Sequence, residues 1–268
     1  MAVRQTVLAA FGDVLDHPDR LSRMALPWLL LIAATTLLSV AHPAQRSLAW
    51  AVSLLVTLLG SIAISVAWFR WRVAGIEPVA MARLDRPVAR VLLRYLAHPL
   101  LVATAFGAIL LPLLGLDRIR DFSKAEATLA GSAVFAVTVI TFLATFPLFH
   151  IFALLGAVDR PGTRLADIVR ASRGSRLRLT AAYALFFLLV VLIPLFGLSS
   201  ADELIRHVAR GLKVERTPEM SDMVDGVLAI LAQSVALGLS AASASFVARL
   251  WPQLAAPPPA AAPPQPPG

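Results

Sequence analysis

Residues 47–69 read SLAWAVSLLVTLLGSIAISVAWF, a run without a single Asp, Glu, Lys or Arg. As a helix this run would cover about 35 Å, which is enough to cross a bilayer hydrocarbon core of about 30 Å. Five further runs along the 268-residue chain are equally free of charged side chains. The sequence therefore predicts six transmembrane helices, at 24–41, 47–69, 95–116, 127–158, 179–201 and 226–248.

The composition agrees with a membrane protein. Hydrophobic residues make up 58% of the chain and charged residues 15%, whereas soluble domains have about 45–50% and about 25%. These values exclude a disordered chain and a nucleic-acid-binding domain, and they disfavour most soluble enzymes. The predicted fold is an all-α polytopic membrane helix bundle at 1–251, followed by a Pro/Ala-rich, disordered cytoplasmic tail at 252–268.

The first apolar run has a second interpretation, a cleaved signal peptide, since Ser39-Val40-Ala41 resembles a small-x-small cleavage site. Three acidic residues, Asp13, Asp16 and Asp19, precede the run, whereas a signal peptide begins with a basic region. The sequence therefore favours a retained helix.

The basic residues are distributed unevenly between the loops. Sixteen of the 24 Lys and Arg residues fall in the N-terminal tail, the second loop, the fourth loop and directly after the last apolar run. Loops that are rich in Lys and Arg remain in the cytoplasm. The distribution predicts a multi-pass membrane protein with both termini cytoplasmic.

Short amphipathic helices are predicted at the membrane surface, within 3–15, from Pro87 into the third span, around 165–169 and from Ser200 to Gly211. Ser200 and Glu203 have the spacing of a capping box, and Thr163 can cap the helix around 165–169. Two of the basic loops carry arginines close to span ends, where positive-inside asymmetry alone would place them. They are also candidates for contact with anionic headgroups, namely Arg90, Arg94, Arg173 and Arg176.

Small and hydroxyl residues recur along two of the predicted spans. Ser53, Thr57, Ser61 and Ser65 follow one another at intervals of four residues, and the sixth span carries Gln233 and Gly238. Such stripes allow close helix packing and hydrogen bonds between helices. The same residues could instead line a polar groove for a lipid or a small solute.

The spans contain few groups that could carry out chemistry. His98 and His150 are their only titratable candidates, each near a span end, where a histidine usually anchors at the interface or bonds to another helix. The sequence has no metal-ligand spacing, no nucleophile elbow and no phosphate loop. The chain is therefore predicted to be neither an enzyme nor a protein with a cofactor or metal.

Two segments suggest an internal repeat. Residues 109–116 read ILLPLLGL and residues 191–198 read VLIPLFGL, at an offset of 82. The same offset aligns Arg94 with Arg176, and an offset of 81 aligns Gly75 with Gly156. The two spans point the same way, so a duplication would be parallel, although chance matching between Leu-rich helices is the alternative.

The stretch from Phe146-Pro147-Leu148 through Gly156, followed by 165–178, resembles a family of bacterial multi-span inner-membrane proteins. These include the membrane domain fused to some glycerophosphodiester phosphodiesterases. The matching positions in the short helix are Ala166 and Ala171-Ser172-Arg173-Gly174; the family's Trp is replaced by Asp167 and its Thr by Ser172. The resemblance implies the fold and a link to lipids, but no hydrolase activity, because the soluble domain is missing from this sequence.

The predicted function is a non-enzymatic, multi-pass protein of the bacterial inner membrane that binds lipid or a partner membrane protein. The alternative is a carrier or flippase for a lipid-like or small neutral solute. The expected partners are membrane lipids and other membrane proteins, with no nucleic acid.

Overall fold

The computed structural model describes residues 3–42, 46–78, 84–120, 123–158, 164–211 and 218–255. Regular secondary structure in these residues is entirely helical, so the predicted all-α class is confirmed. A short 3₁₀ helix, Gly156–Val158, continues the fifth α-helix. The α-helices are α1 (Val3–Leu15), α2 (Pro18–Ala41), α3 (Arg46–Ala74), α4 (Arg86–Arg120), α5 (Lys124–Leu155), α6 (Leu165–Ala171), α7 (Arg176–Gly211) and α8 (Pro218–Ala255).

Five stretches of the described residues are long and apolar enough to cross a membrane, and each overlaps a predicted span. The remaining predicted span, 179–201, is the fifth along the chain and lies within α7, a single helix of 36 residues. Membrane-spanning character is therefore supported for five helices, at Pro18–Ala41, Arg46–Ala74, Arg86–Ala108, Thr128–Val158 and Ser221–Pro252.

The predicted surface helices have three different outcomes. The N-terminal helix and the short helix of the fourth loop are confirmed as α1 and α6. The segment from Pro87 forms the start of α4, where the Asp85 carboxylate accepts a hydrogen bond from the Val88 backbone N–H at 3.2 Å. The helix start predicted at Ser200 is wrong, because α7 already runs through it and leaves no free helix N-terminus to cap.

Two further predictions concern the edges of the described chain. The fourth-loop helix has Arg164 before its first residue, and the Arg164 backbone N–H donates to the Asp167 carboxylate at 3.1 Å. Thr163, the predicted capping residue, lies outside the described residues. At the C-terminus α8 continues to Ala255, and the remaining predicted tail, 256–268, also lies outside them.

Helices α3 and α8 run parallel and in contact. Their paired residues rise together in number, from Ser53 with Gln233 to Trp68 with Ser245. Helix α2 packs on the same pair: Trp28 lies against Gly60 of α3, and Val40 approaches Gly226 of α8. These three helices form one half of the bundle. In the other half α4 packs on α5, and α7 lies against α5 and also against α8.

The contacts define two ends of the bundle. Asp13 of α1 joins Arg72 near the end of α3 and Arg249 near the end of α8. We call this end, where the predicted basic loops lie, the basic end. At the opposite end, Arg46 at the start of α3 pairs with Asp222 near the start of α8. Helix α1 and the end of α8 therefore share one end of the bundle.

Burial is concentrated toward the basic end, as α5 illustrates. Ile151 and Leu154 near its end are fully buried, whereas Leu129 and Phe135 in its first half are 72% and 70% exposed. Large exposed apolar side chains are unusual on a soluble monomer and are normal where lipid chains cover a helix. The bundle therefore packs tightly at one end and presents apolar helix surfaces along its length.

Candidate functional site: a lateral cavity beside a polar helix interface

The hydroxyl stripe of α3 lies at the α3–α8 interface. The hydroxyls of Ser53 and Thr57 both donate to Gln233 Oε1 at 2.8 Å. Farther along, the Ser65 hydroxyl donates to the Ser240 carbonyl at 3.1 Å. Hydrogen bonds between spans of this kind contribute about 0.6 kcal/mol each on average. The structure thus brings three members of the stripe and Gln233 together as a packing face, one of the two predicted interpretations.

The other two candidates on these helices have different surroundings. Ser61 lines a cavity on a second side of the interface. Gly238 makes no close helix contact, since a Cβ at this position would have no heavy atom within 4 Å. Packing among the described residues therefore does not explain why position 238 is a glycine.

The four candidate arginines divide into two pairs. Arg94 donates to the Phe152 carbonyl at 2.7 Å, and Arg90 donates to the Gly156 carbonyl at 3.0 Å. These carbonyls belong to the last turn of α5 and the 3₁₀ helix after it, where carbonyls lack partners within the helix and the helix dipole favours a cation. Both arginines therefore hold the end of α5 in place.

The second pair, Arg173 and Arg176, is exposed. These two residues flank the turn between α6 and α7, so their guanidinium groups face the surface of the basic end. Of the four candidates, this pair has the exposure that contact with a lipid headgroup requires.

A cavity of about 660 Å³ opens between the two halves of the bundle. This volume lies within the range of about 300–1,000 Å³ that is typical of small-molecule sites. We call it the lateral cavity; five helices line it, with Leu58, Ser61, Ile62, Ser65, Leu92, Tyr95, Leu96, Pro99, Phe146, His150, Phe186, Phe187, Val190, Ala232, Ala236, Leu239, Ser240 and Ser243.

The lateral cavity exists because α4 stands apart from two of its neighbours. Within the described part of the chain, no Cα of α4 lies within 8 Å of one in α7 or α8. The rim is open, since Leu58 is 52% and Leu96 48% exposed. Both rim residues belong to stretches that are long and apolar enough to cross a membrane.

The chemistry of the lateral cavity is almost wholly apolar. Among the described residues, no Asp, Glu, Lys or Arg lines it. His150 is 7% exposed, and its Nε2 lies 2.9 Å from the Ser243 hydroxyl. His150 Nδ1 is buried without a hydrogen-bond partner. An unpaired charge would be costly in such surroundings, so the cavity suits an uncharged hydrocarbon chain.

The two histidines of the spans make contacts between helices. His150 of α5 reaches Ser243 of α8, and His98 Nε2 of α4 lies 3.0 Å from the Thr145 hydroxyl of α5. The predicted alternative of a hydrogen-bonded helix contact is therefore confirmed for both.

Sequence reasoning missed the role of Asp13. This carboxylate is 6% exposed and makes two hydrogen bonds to Arg249, at 2.8 and 2.6 Å. Arg72 adds a salt bridge at 3.2 Å. The periodic spacing of Asp13 with the buried Thr6, Val7 and Ala10 could have indicated that it lies on the packed face of α1.

Compared with known proteins, the chain matches no family model, no curated protein and no solved structure. The resemblance to the membrane domain of glycerophosphodiester phosphodiesterases therefore stays a prediction. In the described residues, no group of His, Asp and Glu is arranged to hold a metal ion.

Proposed function

We propose that this chain is a non-enzymatic integral membrane protein that holds the apolar chain of a lipid-like molecule in the lateral cavity. The observation that carries the proposal is a cavity of about 660 Å³ that opens between apolar helices of membrane-spanning length and has no acidic or basic lining residue among those described. A hydrocarbon chain gains roughly the same hydrophobic environment there as in the bilayer, together with close van der Waals contact to Phe186 and Phe187.

The proposal includes six membrane crossings, with α7 as the fifth. Its support is the direction of the helices. The end of α3 lies at the basic end, and α8 starts at the opposite end because it runs parallel to α3. Helices α4 and α5 together return the chain to the basic end, where Arg94 meets Phe152. A third crossing is needed before α8, and α7 is long enough to provide it.

We further propose that the basic end faces the cytoplasm of a bacterial cell. The excess of arginine in the loops at this end is the support, through the positive-inside rule. Contact with anionic headgroups is assigned to Arg173 and Arg176, because Arg90 and Arg94 already donate to carbonyls at the end of α5.

Filling the cavity tests the proposal. Ala236 lines the lateral cavity, so Ala236→Phe would occupy it. We expect native mass spectrometry of the purified full chain to show at least tenfold less protein with a tightly retained lipid. Leu231→Phe is the matched control, since Leu231 lies on the same helix, is 45% exposed and does not line the cavity. Equal retention by Ala236→Phe and the wild type would refute the proposal.

A carrier or flippase is the second candidate, favoured by proline positions. Pro99 of α4 lines the lateral cavity, and Pro147 lies within α5. Proline removes a helix hydrogen bond and allows bending at both sites. Flux of a fluorescent lipid or a neutral solute into proteoliposomes, compared with Ser61→Leu, tests this function. A flux in the wild type that is lower in Ser61→Leu would support a carrier. Absence of flux with both proteins would refute the carrier function.

A further inference from the structure

A second cavity lies on the other side of the α3–α8 interface, at the end opposite the basic end. It has a volume of about 620 Å³ and lies between α2, α3 and α8. We call it the polar crevice. Unlike the lateral cavity, it combines buried amide and hydroxyl groups with charged side chains, and its lining includes Thr36, Arg46, Trp50, Ser53, Asp225 and Gln233.

The floor of the polar crevice is a buried hydrogen-bonded chain. Thr36 and Ser53 are 5% and 2% exposed, and their hydroxyl oxygens lie 3.4 Å apart. Gln233 is 8% exposed, and its Oε1 already accepts from Ser53 and Thr57. In the described part of the chain, Gln233 Nε2 donates to no protein group. An amide nitrogen carries two N–H donors, and Gln233 lines the crevice, so this group can donate to a ligand acceptor.

The mouth of the polar crevice carries a negative charge. Arg46 and Asp222 form an ion pair. Asp225 is exposed and makes no salt bridge or hydrogen bond in the described residues, although it also interacts electrostatically with Arg46, so two carboxylates face one guanidinium group. Trp50, 58% exposed, adds an aromatic face beside these groups. A carboxylate and an indole face together attract an ammonium group through charge and cation–π interaction.

We propose that the polar crevice binds a small ammonium group that also carries an oxygen acceptor, as an amino alcohol does. The ammonium group lies between Asp225 and Trp50, and the oxygen accepts a hydrogen bond from Gln233 Nε2. Asp225 and Gln233 are two helical turns apart on α8, about 12 Å along the axis. Ala229 between them is small and lines the crevice, which leaves room for a ligand of a few heavy atoms.

An ammonium group with a nearby oxygen acceptor occurs in two kinds of ligand, a free amino alcohol and the headgroup of phosphatidylethanolamine in the adjacent leaflet. The polar crevice and the lateral cavity share no lining residue. The polar crevice therefore does not depend on the proposed lipid-chain site, and either site can be tested while the other is intact.

Calorimetric titration of the full chain in detergent with ethanolamine tests the free-solute source, with ethylene glycol as the uncharged analogue. The lipid source is tested by the fraction of protein that retains phosphatidylethanolamine in nanodiscs, compared with phosphatidylcholine that has been matched in chain length. We expect binding of ethanolamine or selective retention of phosphatidylethanolamine. Asp225→Asn should weaken that interaction at least tenfold, since it removes the charge and keeps the shape.

Ala229→Phe should abolish the interaction by filling the crevice, and Leu231→Phe on the same helix should leave it unchanged. The melting temperature of each variant, measured alongside, separates loss of binding from loss of folding. The proposal is overturned if the wild type prefers neither ammonium compound over its control. It is equally overturned if Asp225→Asn, folded as the wild type, binds with undiminished affinity.

Discussion

Gly60 lets the ring of Trp28 lie directly on the backbone of α3. A Cβ at this position would lie 2.9 Å from Trp28 Cδ2, and Trp28 is only 4% exposed, so the ring has no free space to enter. We expect Gly60→Ala to destabilise the protein by about 1–3 kcal/mol through overpacking. Thermal unfolding in detergent measures this as a lower midpoint.

Gly238→Ala is the matched control, because both glycines lie in membrane-spanning stretches and only Gly60 has a close neighbour. At position 238 the added methyl group meets nothing within 4 Å. Alanine is the better helix former by about 0.5–1 kcal/mol, so the midpoint should stay or rise. Equal losses in both variants would show that the Trp28 contact is not what position 60 requires.

Arg94 illustrates how the surroundings decide the role of a charged side chain. Its guanidinium donates to the Phe152 carbonyl at 2.7 Å and lies 4.2 Å from the centre of the Phe152 ring. We expect Arg94→Gln to cost about 1–2 kcal/mol, since the carbonyl loses a charged donor at the end of a helix. Chemical denaturation in mixed micelles measures the loss.

Arg173→Gln serves as the comparison for Arg94→Gln. Arg173 is exposed, and surface substitutions usually change stability by less than about 0.5 kcal/mol. A loss at Arg173 as large as the loss at Arg94 would contradict the assignment of Arg94 to the end of α5.

At the scale of the element, α1 is attached to the bundle by one buried carboxylate and a short apolar face. Asp13 lies between Arg72 and Arg249, and Phe11 stacks on Phe186 at 5.5 Å. Asp13→Asn would leave two arginines side by side without their anion. We expect α1 to detach more often, with faster amide hydrogen exchange across Val3–Leu15.

Asp16→Asn tests whether position matters more than charge. Asp16 lies in the turn directly after α1 and is exposed, and its substitution changes the net charge equally. Its exchange rates should match those of the wild type. If both variants accelerate exchange alike, the salt bridges of Asp13 do not hold α1 in place.

At the scale of the whole molecule, the six-crossing arrangement makes a prediction about sidedness. Reporter domains inserted within 79–83 and 159–163 should report the cytoplasm, and insertions within 43–45, 121–122 and 212–217 should report the opposite side, because α7 separates 159–163 from 212–217. Paired fluorescence and phosphatase reporters measure this. Reporters at 159–163 and 212–217 on the same side would show that α7 does not cross.

The proposed internal repeat stays a prediction, and the structure places its paired positions in different surroundings. Arg94 is bonded to the end of α5, whereas Arg176 is exposed. Gly75 ends α3 with a positive φ of 67°, and Gly156, its partner at an offset of 81, lies against the Arg94 guanidinium. If the two copies of the repeat have a common origin, their packing has since become different.

The sequence by itself determined that this chain is helical and suited to a membrane, because long runs without charge can satisfy their backbone hydrogen bonds only within a helix or a closed barrel. It also indicated the packing face of α3, since residues spaced by four share one side of a helix. Only the tertiary structure decided which side chains meet. Asp13 with Arg249, Arg94 with Phe152 and Ser243 with His150 are each more than 50 residues apart. Periodicity describes a single helix, whereas the two cavities exist because whole helices stand at particular distances from one another.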